Sequence, residues 1–525
     1  MSYLLNALYL VALVACAPWL AWRAIVQGKN RSGWSARLLG LVPRRHSLRP
    51  CVWLHAVSVG EVNLLTALVR EFERREVDCD FVISTTTVTG FELARKRHPQ
   101  RTVFYCPLDF SWGVRRAIAR LRPELLVLVE LELWPNLVRL ARRAGVRVAV
   151  VNGRLSEKSF RGYRRIRPLV AHLLGEIDLI AAQNTTYAER FLALGAPSAT
   201  VHVTGSMKFD GVETDRRNAA TVRLAELAGI AAEDVVLLAG STQEPEEEIA
   251  VEVWRSLVAH WPRLRLILVP RHAERFDAVA ALLRARGVPF VRRSGLGECR
   301  VRETLQSDGR CSSPGTLTPD PAAARGEGSN GVPETHQETS FPLLSPVEAD
   351  ADAAARDNDA AISASHSGFP PVLLVDTIGE LGAWWGTAQI AFVGGSLGNR
   401  GGQNMLEPAA YGAAVSFGPN TRNFRDIVAA LLEAEGAVVV HDGQELTTFV
   451  RRCLADAEFA GDLGRRAQQL VVAQQGATRA TVDLLLPLVP SAALASEVTE
   501  VVRRADPPAG ARVRPQRGSQ VRHGR

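Results

Sequence analysis

Short, unbroken apolar runs recur along most of the chain, separated by longer stretches in which apolar residues fall at three- and four-residue spacing. Val52–Val57, Phe81–Ser84, Leu125–Val129, Val146–Val151 and Leu179–Ala182 are runs of this kind, and Val62–Arg75 between the first two reads as an amphipathic helix. The pattern restarts at Val235–Ala239 and continues through Leu264–Val269, Val372–Val375, Ile390–Val393, Ala414–Phe417 and Ala437–Val440. Continuous rather than alternating apolar strands, interleaved with helices, predict parallel sheets covered on both faces. The fold class is therefore α/β, built from two Rossmann-like domains facing a cleft, with expected limits 47–210 and 230–490. In such sheets ligands sit beyond the carboxyl ends of the strands, so the residues that follow each run are the ones to inspect.

Three segments depart from this rhythm. From Tyr3 to Trp22 the chain is apolar apart from Asn6, close to the length needed to cross a bilayer core. The stretch ends in Trp19 and Trp22, and Arg23, Lys29, Arg31 and Arg37 follow, which predicts a membrane anchor over residues 1–28 with the body on the cytoplasmic side. A cleaved signal peptide is the rival, but Met1 to Leu10 carries no basic residue. Residues 295–370 are rich in Ser, Gly, Pro, Ala and acids, with five arginines against twelve acidic residues, and predict a disordered insertion inside the second domain. Residues 503–525, with seven arginines and one aspartate, predict a basic disordered tail.

Composition adds limits. With 47% hydrophobic and 22% charged residues over 525 positions, the chain is globular and long enough for more than one domain. The formal charge of +7 suits an anionic substrate or a membrane surface. No dense Lys/Arg stripe interleaved with aromatics is present, so nucleic acid is not an expected partner. Seven scattered cysteines without a C-x-x-C pair imply buried thiols in a reducing compartment and no structural zinc.

Several strand ends carry chemistry, each with a plainer alternative. Glu61, in His55-Ala56-Val57-Ser58-Val59-Gly60-Glu61, stands where a general base would, or serves only as a first-turn helix acid. His55 reads as a core histidine. Glu130 and Glu132, in Glu130-Leu131-Glu132-Leu133-Trp134-Pro135-Asn136, end a buried strand, where carboxylates are costly unless paired or used. Lys208, in Gly205-Ser206-Met207-Lys208-Phe209-Asp210, falls at the expected domain crossover. Arg271 and His272 follow a strand and suit a phosphate or carboxylate. Asp376-Thr377-Ile378-Gly379-Glu380 offers backbone N–H groups at a strand-to-helix turn, or a simple N-cap. The glycine-rich stretch from Gly394 to Pro408 holds Asn404 and Glu407 one helical turn apart, a pair able to take ribose hydroxyls.

Taken in order, HAVSVGE (55–61), ELELWPN (130–136), NGRLS (152–156), AAQN (181–184), VTGSMKFD (203–210), ILVPRHAERF (267–276), DTIGEL (376–381) and GGQNMLEP (401–408) resemble the 3-deoxy-D-manno-octulosonic acid (Kdo) transferase family. The resemblance covers roughly residues 5–294 and 371–490. It implies an inverting, metal-independent glycosyltransferase of the two-domain GT-B type at the cytoplasmic face of the inner membrane. Such an enzyme moves Kdo from CMP-Kdo to the lipid A precursor (lipid IVA) in lipopolysaccharide synthesis, and needs no cofactor. Glu61 would match the catalytic base, and Glu130 and Lys208 the positions that stabilise the transition state. Arg271, His272, Ile378, Gly379, Glu380, Asn404, Met405, Leu406 and Glu407 would match the CMP-binding segments. The chain departs from the family's pattern at Gln243 and Gln403, where His is expected, and at Met405, where Pro is expected. Another GT-B transferase with a different nucleotide sugar would lack the HAVSVGE and ELELWPN blocks. A sugar-nucleotide epimerase would need no anchor, and a non-catalytic lipid-binding protein would tolerate loss of the carboxylates.

Overall fold

A computed structural model describes residues 2–26, 33–296 and 369–490. The acidic insertion expected at 295–370 lies almost wholly outside the described residues, and the basic tail at 503–525 lies entirely outside them. The chain forms two compact units, Met1–Gly211 together with Gln474–Arg525, and Val212–Ala473.

The first unit is built on seven parallel strands: β1 (Cys51–His55), β2 (Asp80–Thr85), β3 (Thr102–Tyr105), β4 (Leu125–Val129), β5 (Arg147–Gly153), β6 (Leu179–Ala182) and β7 (Val201–Val203). They lie in the order β3-β2-β1-β4-β5-β6-β7. Every residue of β1 and β4 is buried, as their uninterrupted apolar sequence requires. Alternate β1 side chains feed opposite layers. Val52 and Leu54 join Leu65, Leu68 and Phe72 of the helix Val59–Arg74, while Trp53 joins Val114 and Leu121 of the helix Ser111–Leu121. β3 and β7 escape the apolar-run criterion because they are short edge strands with exposed positions.

Strand order reverses between β1 and β4, the switch point of a doubly wound sheet. Glu61 follows β1 and Glu130 follows β4, so the topology brings both acids to one place along the sheet edge.

The second unit repeats the plan with β8 (Val235–Thr242), β9 (Leu264–Pro270), β10 (Phe290–Arg292), β11 (Val372–Leu374), β12 (Ile390–Val393), β13 (Ala414–Phe417) and β14 (Ala437–Val439), ordered β10-β11-β9-β8-β12-β13-β14 and all parallel. β10 and β11, which bracket the long acidic segment in sequence, pair directly from Phe290↔Val372 to Arg292↔Leu374.

Two expectations change. The second domain, placed at 230–490, ends earlier: from Gln474 the chain belongs to the first unit. The helix Ala477–Leu485 buries Ala477, Val482 and Leu485 in the core shared by the helix Val59–Arg74. Asp210 accepts hydrogen bonds from the backbone N–H groups of Gly476 and Thr478, capping that helix from outside it. The second change concerns the anchor. Ser2–Val26 is helical, but among the described residues no helix is long and apolar enough to cross a membrane, which corrects the expected transmembrane anchor over 1–28. Part of its length is engaged by the first unit: Asn6 is buried, and both Asn6 and Tyr9 hydrogen-bond to the segment around Asp109.

Leu485 is fully buried. Its replacement by Ala is expected to destabilise the first unit by about 2–5 kcal/mol. Amide hydrogen exchange should read this as faster exchange in the Val59–Arg74 helix, with protection in β8 and β9 unchanged.

Candidate active site

At the carboxyl edge of the first sheet, the helix Val59–Arg74 starts with a reciprocal cap. Ser58 Oγ accepts from Glu61 N at 3.3 Å and donates to Glu61 Oε1 at 2.8 Å, while Val57 N donates to Glu61 Oε2 at 2.8 Å. The plainer reading of Glu61 as a helix-capping acid is thus real. Burial nevertheless lifts its carboxyl above the ordinary value, against the lowering effect of the Val57 and Ser58 hydrogen bonds; nearby Glu130 raises it further and Lys208 opposes.

Glu130 leaves β4 with φ 59°, a left-handed conformation unfavourable for a residue with a Cβ. Its carboxylate meets Lys208 Nζ at 2.9 Å. The sequence reading has Glu130 and Glu132 ending the buried strand, but β4 stops at Val129 and both acids lie in the loop beyond it. Glu132 Oε2 accepts from Trp134 Nε1 at 2.9 Å. Burial first, then Glu61 and Glu130, pushes the Glu132 carboxyl up to about 7, with the Trp134 bond acting in the other direction. Because folding raises this value, the stability contribution of protonated Glu132 is complete below about 4.5 and is lost as pH rises through about 7. Three carboxylates and one ammonium therefore share one field at the switch point.

Lys208 is held by its neighbours. Met207 and Phe209 are buried, and Met207 N donates to Asn152 Oδ1 at 3.1 Å. Asn152 itself is fully buried with φ 52°, directly in β5, and its backbone carbonyl accepts from Gln183 Nε2 at 2.9 Å. Asn tolerates the left-handed region better than most residues, and its side chain here fixes the turn that presents Lys208. His55 is fully buried, contacts Ser84 Oγ through Nδ1 at 2.9 Å, and is pushed by burial down to about 4; it is a neutral core residue.

In the second unit, Glu407 hydrogen-bonds Asn404 Nδ2 at 2.9 Å, and Asn404 Oδ1 accepts from Leu406 N at 3.2 Å, so the pair forms at the opening of the short helix Leu406–Ala410. Burial raises the Glu407 carboxyl, with Asn404 and then the Arg271 charge opposing it. Arg271 is thereby linked to Glu407, whereas His272 lines a cleft of about 330 Å³ with Gln243, Gly395 and Arg400. Ile378 is 82% exposed and Gly379 has φ 95°, leaving that turn's backbone accessible. Glu380 is engaged within the unit by Arg293, at 3.0 and 2.8 Å, and by Thr377 Oγ1 at 2.7 Å. Met405 and Leu406 are buried. A larger cleft, about 770 Å³ and lined by Arg44, Arg70, Arg97 and His98 among others, opens at the amino edge of the first sheet and contains none of these residues.

Asn152 and Glu246 were not among the sequence-derived candidates, and Glu132 was singled out only as one of two carboxylates ending a strand. Glu246 is buried, and its carboxylate accepts from the backbone N–H groups of Gln243, Gly395, Ser396 and Leu397 at 2.7–3.0 Å. A Cβ at Gly394 would stand 2.8 Å from that carboxylate and 2.6 Å from Thr242 Cα, which accounts for glycine there. The legible signal for Glu246 was its place just after β8; the one for Asn152 was an asparagine closing an apolar strand.

Residues 32–211 match the family described as 3-deoxy-D-manno-octulosonic-acid transferase (kdotransferase). The 3-deoxy-D-manno-octulosonic acid transferase of Bordetella pertussis is 30% identical over 498 residues, covering 91% of this chain and 98% of its own. The chain belongs to the Kdo transferase family. The Haemophilus influenzae member is 29% identical over 439 residues, 83% of this chain and 86% of its own. Among solved structures, the C-terminal CMP-Kdo binding domain of WaaA from Acinetobacter baumannii is similar over 48% of this chain and 95% of its own, at 22% identity and a TM-score of 0.32. Family membership makes the chain an enzyme, a glycosyltransferase.

Removing the Lys208 ammonium takes away a charge that lowers the Glu61 carboxyl. In Lys208→Met the acidic limb of the kcat/KM pH profile for Kdo transfer is expected to move to higher pH, with a fall of about 10²–10³-fold at neutral pH. An unmoved limb would show that the two groups do not communicate.

Proposed function

We propose that this Kdo transferase moves Kdo from CMP-Kdo to lipid IVA by a single, inverting displacement. The observation that carries the reading is the convergence of Glu61, Glu130, Glu132 and Lys208 at the switch point of the first sheet. Glu61 takes the proton of the acceptor hydroxyl, and that oxygen forms a bond to the anomeric carbon of Kdo. The bond from that carbon to the CMP phosphate oxygen breaks, and CMP departs with the electron pair. One base on the acceptor side is what single displacement requires. Glu61 suits the task because burial raises its affinity for a proton while Lys208 keeps an ionised fraction available.

Glu130 orients Lys208, and Lys208 offsets charge on the departing phosphate without a metal. Asn404 and Glu407 supply polar contacts for the nucleotide's sugar, and the exposed turn at Ile378–Glu380 supplies backbone contacts. The protein works at the cytoplasmic face of the inner membrane, where the acceptor lies. Leu8, Val11 and Val14 of the N-terminal helix, each more than 60% exposed, support contact with lipid.

The reading is tested by incubating freshly generated CMP-Kdo with tetraacylated lipid A precursor and counting added sugars by mass spectrometry. Wild-type protein is expected to give product of inverted anomeric configuration, in EDTA as well as without it, and folded Glu61→Ala to lose at least about 10²-fold. No product from folded protein with active donor would overturn the donor and acceptor assignment. Flotation with anionic vesicles is expected to carry the full chain upward, and Leu8→Asp/Val11→Asp/Val14→Asp to leave it below; equal flotation would remove the helix from that role.

A further inference from the structure

The N-terminal helix is joined to the carboxylate loop by a buried polar node that the proposed chemistry does not itself require. Asn6 is the only amide or charged side chain between Tyr3 and Trp22, and it is buried. Its Nδ2 donates to Ser111 Oγ at 2.7 Å, and its Oδ1 accepts from Ser111 N at 3.0 Å and from Asn136 Nδ2 at 3.3 Å. One turn on, Tyr9 OH donates to Asp109 Oδ2 at 3.1 Å, and its ring meets Phe110 edge-on.

Asp109, 3% exposed, is the centre of the node. Its Oδ2 also accepts from Asn136 N at 2.9 Å, its Oδ1 from Leu137 N at 2.8 Å, and its backbone carbonyl from Asn136 Nδ2 at 2.6 Å. Those two N–H groups open the helix Pro135–Arg143, whose preceding residue, Trp134, provides no side-chain cap. Asp109 thus caps from a distant segment the helix that starts where the loop Glu130–Trp134 ends.

A helix that merely rested an apolar face on the domain would need none of these bonds. Buried polar groups are costly when mismatched, so this set, engaged throughout except at Asn136 Oδ1, selects one register of contact. Here that register fixes Asn136, and through Pro135 and Trp134 the carboxylate of Glu132, which Trp134 Nε1 holds.

We propose that Asn6 and Asp109 are positioning residues for the acceptor-side carboxylates, so that the N-terminal helix, seated through Tyr9 and Asn6, sets the geometry of the Glu130–Trp134 loop. The proposal rests on the reading of Glu61, Glu130 and Lys208 as reaction residues. It extends that reading to a helix otherwise expected only to hold lipid.

The test uses the full chain carrying Asn6→Ala, Tyr9→Phe or Asp109→Asn. Amide hydrogen exchange across residues 130–137 is expected to speed up in each, with β4 and β5 still protected. For transfer to the lipid A precursor, kcat is expected to fall about 10- to 100-fold in Asn6→Ala and Asp109→Asn with the donor KM unchanged. The acidic limb of the kcat pH profile should shift as well. Glu132 is faced by Glu61, Glu130, Tyr163 and Cys106, and Glu61 by Glu130 and Lys208, so moving the loop changes which protonation state prevails.

A variant that lost only folded protein would scale down at every pH with the limb unmoved, and that result would overturn the proposal. So would unchanged exchange over 130–137 in folded Asn6→Ala. Tyr9→Phe removes one hydrogen bond while keeping the ring contact, so it reports on the node even where Asp109→Asn does not fold. Should the wild type fail to transfer Kdo, the proposed function falls, while the exchange arm still decides whether the helix sets the loop.

Discussion

A parallel sheet hidden on both faces leaves few places for a polar side chain to act. The strands of both units carry apolar residues on each side, and helices cover them. The carboxyl ends are where the chain must turn, expose backbone and admit polar groups. Strand order reverses there, so neighbouring connections run to opposite faces and leave room between them. Nearly everything chemical in this protein follows from that constraint. Glu61 and Glu130 close the two strands flanking the first unit's switch point, while Gln243 and the Gly394–Leu397 turn close the two flanking the second's.

The two units use the same address differently. Each begins its first covering helix near a glutamate, Glu61 in one and Glu246 in the other. Glu246 is fully engaged, its two oxygens accepting four backbone N–H groups and fixing the glycine-rich turn. Glu61 receives one backbone and one hydroxyl donor and stands among other charges. A carboxylate saturated by amides is a strut, and one with spare lone pairs beside a lysine can still take a proton. Backbone strain marks the same edge: Glu130, Asn152 and Ser241 all have positive φ at or beside strand ends, where a direct turn is needed to aim the following residues.

Much of this was legible in sequence. Uninterrupted runs such as Leu125–Val129 identify a doubly buried strand because no alternating pattern survives when both faces are covered. Motif order then pointed to the family, and Glu61, Glu130 and Lys208 do lie within one electrostatic neighbourhood. What was hidden depends on distant partners. Asp109 caps a helix that begins at Pro135, and Asp210 caps one that begins at Ala477; neither pairing leaves a local trace. The same reason explains the misplaced domain limit, since the amphipathic stretch 477–485 reads identically whichever core receives it. Apolar length alone also overstated the N-terminal helix, whose Asn6 looks like an isolated blemish until Ser111 and Asn136 appear opposite it.

The return of the chain to the first unit has a bearing on how the protein comes into being. Its first core includes Val482 and Leu485, which leave the ribosome only after every residue from Val212 to Ala473 has been made. The second unit can therefore close around its own sheet while the first is still missing a covering layer. Domains generally fold in order of synthesis, but here the order is inverted: the unit that starts the chain is the last to be complete.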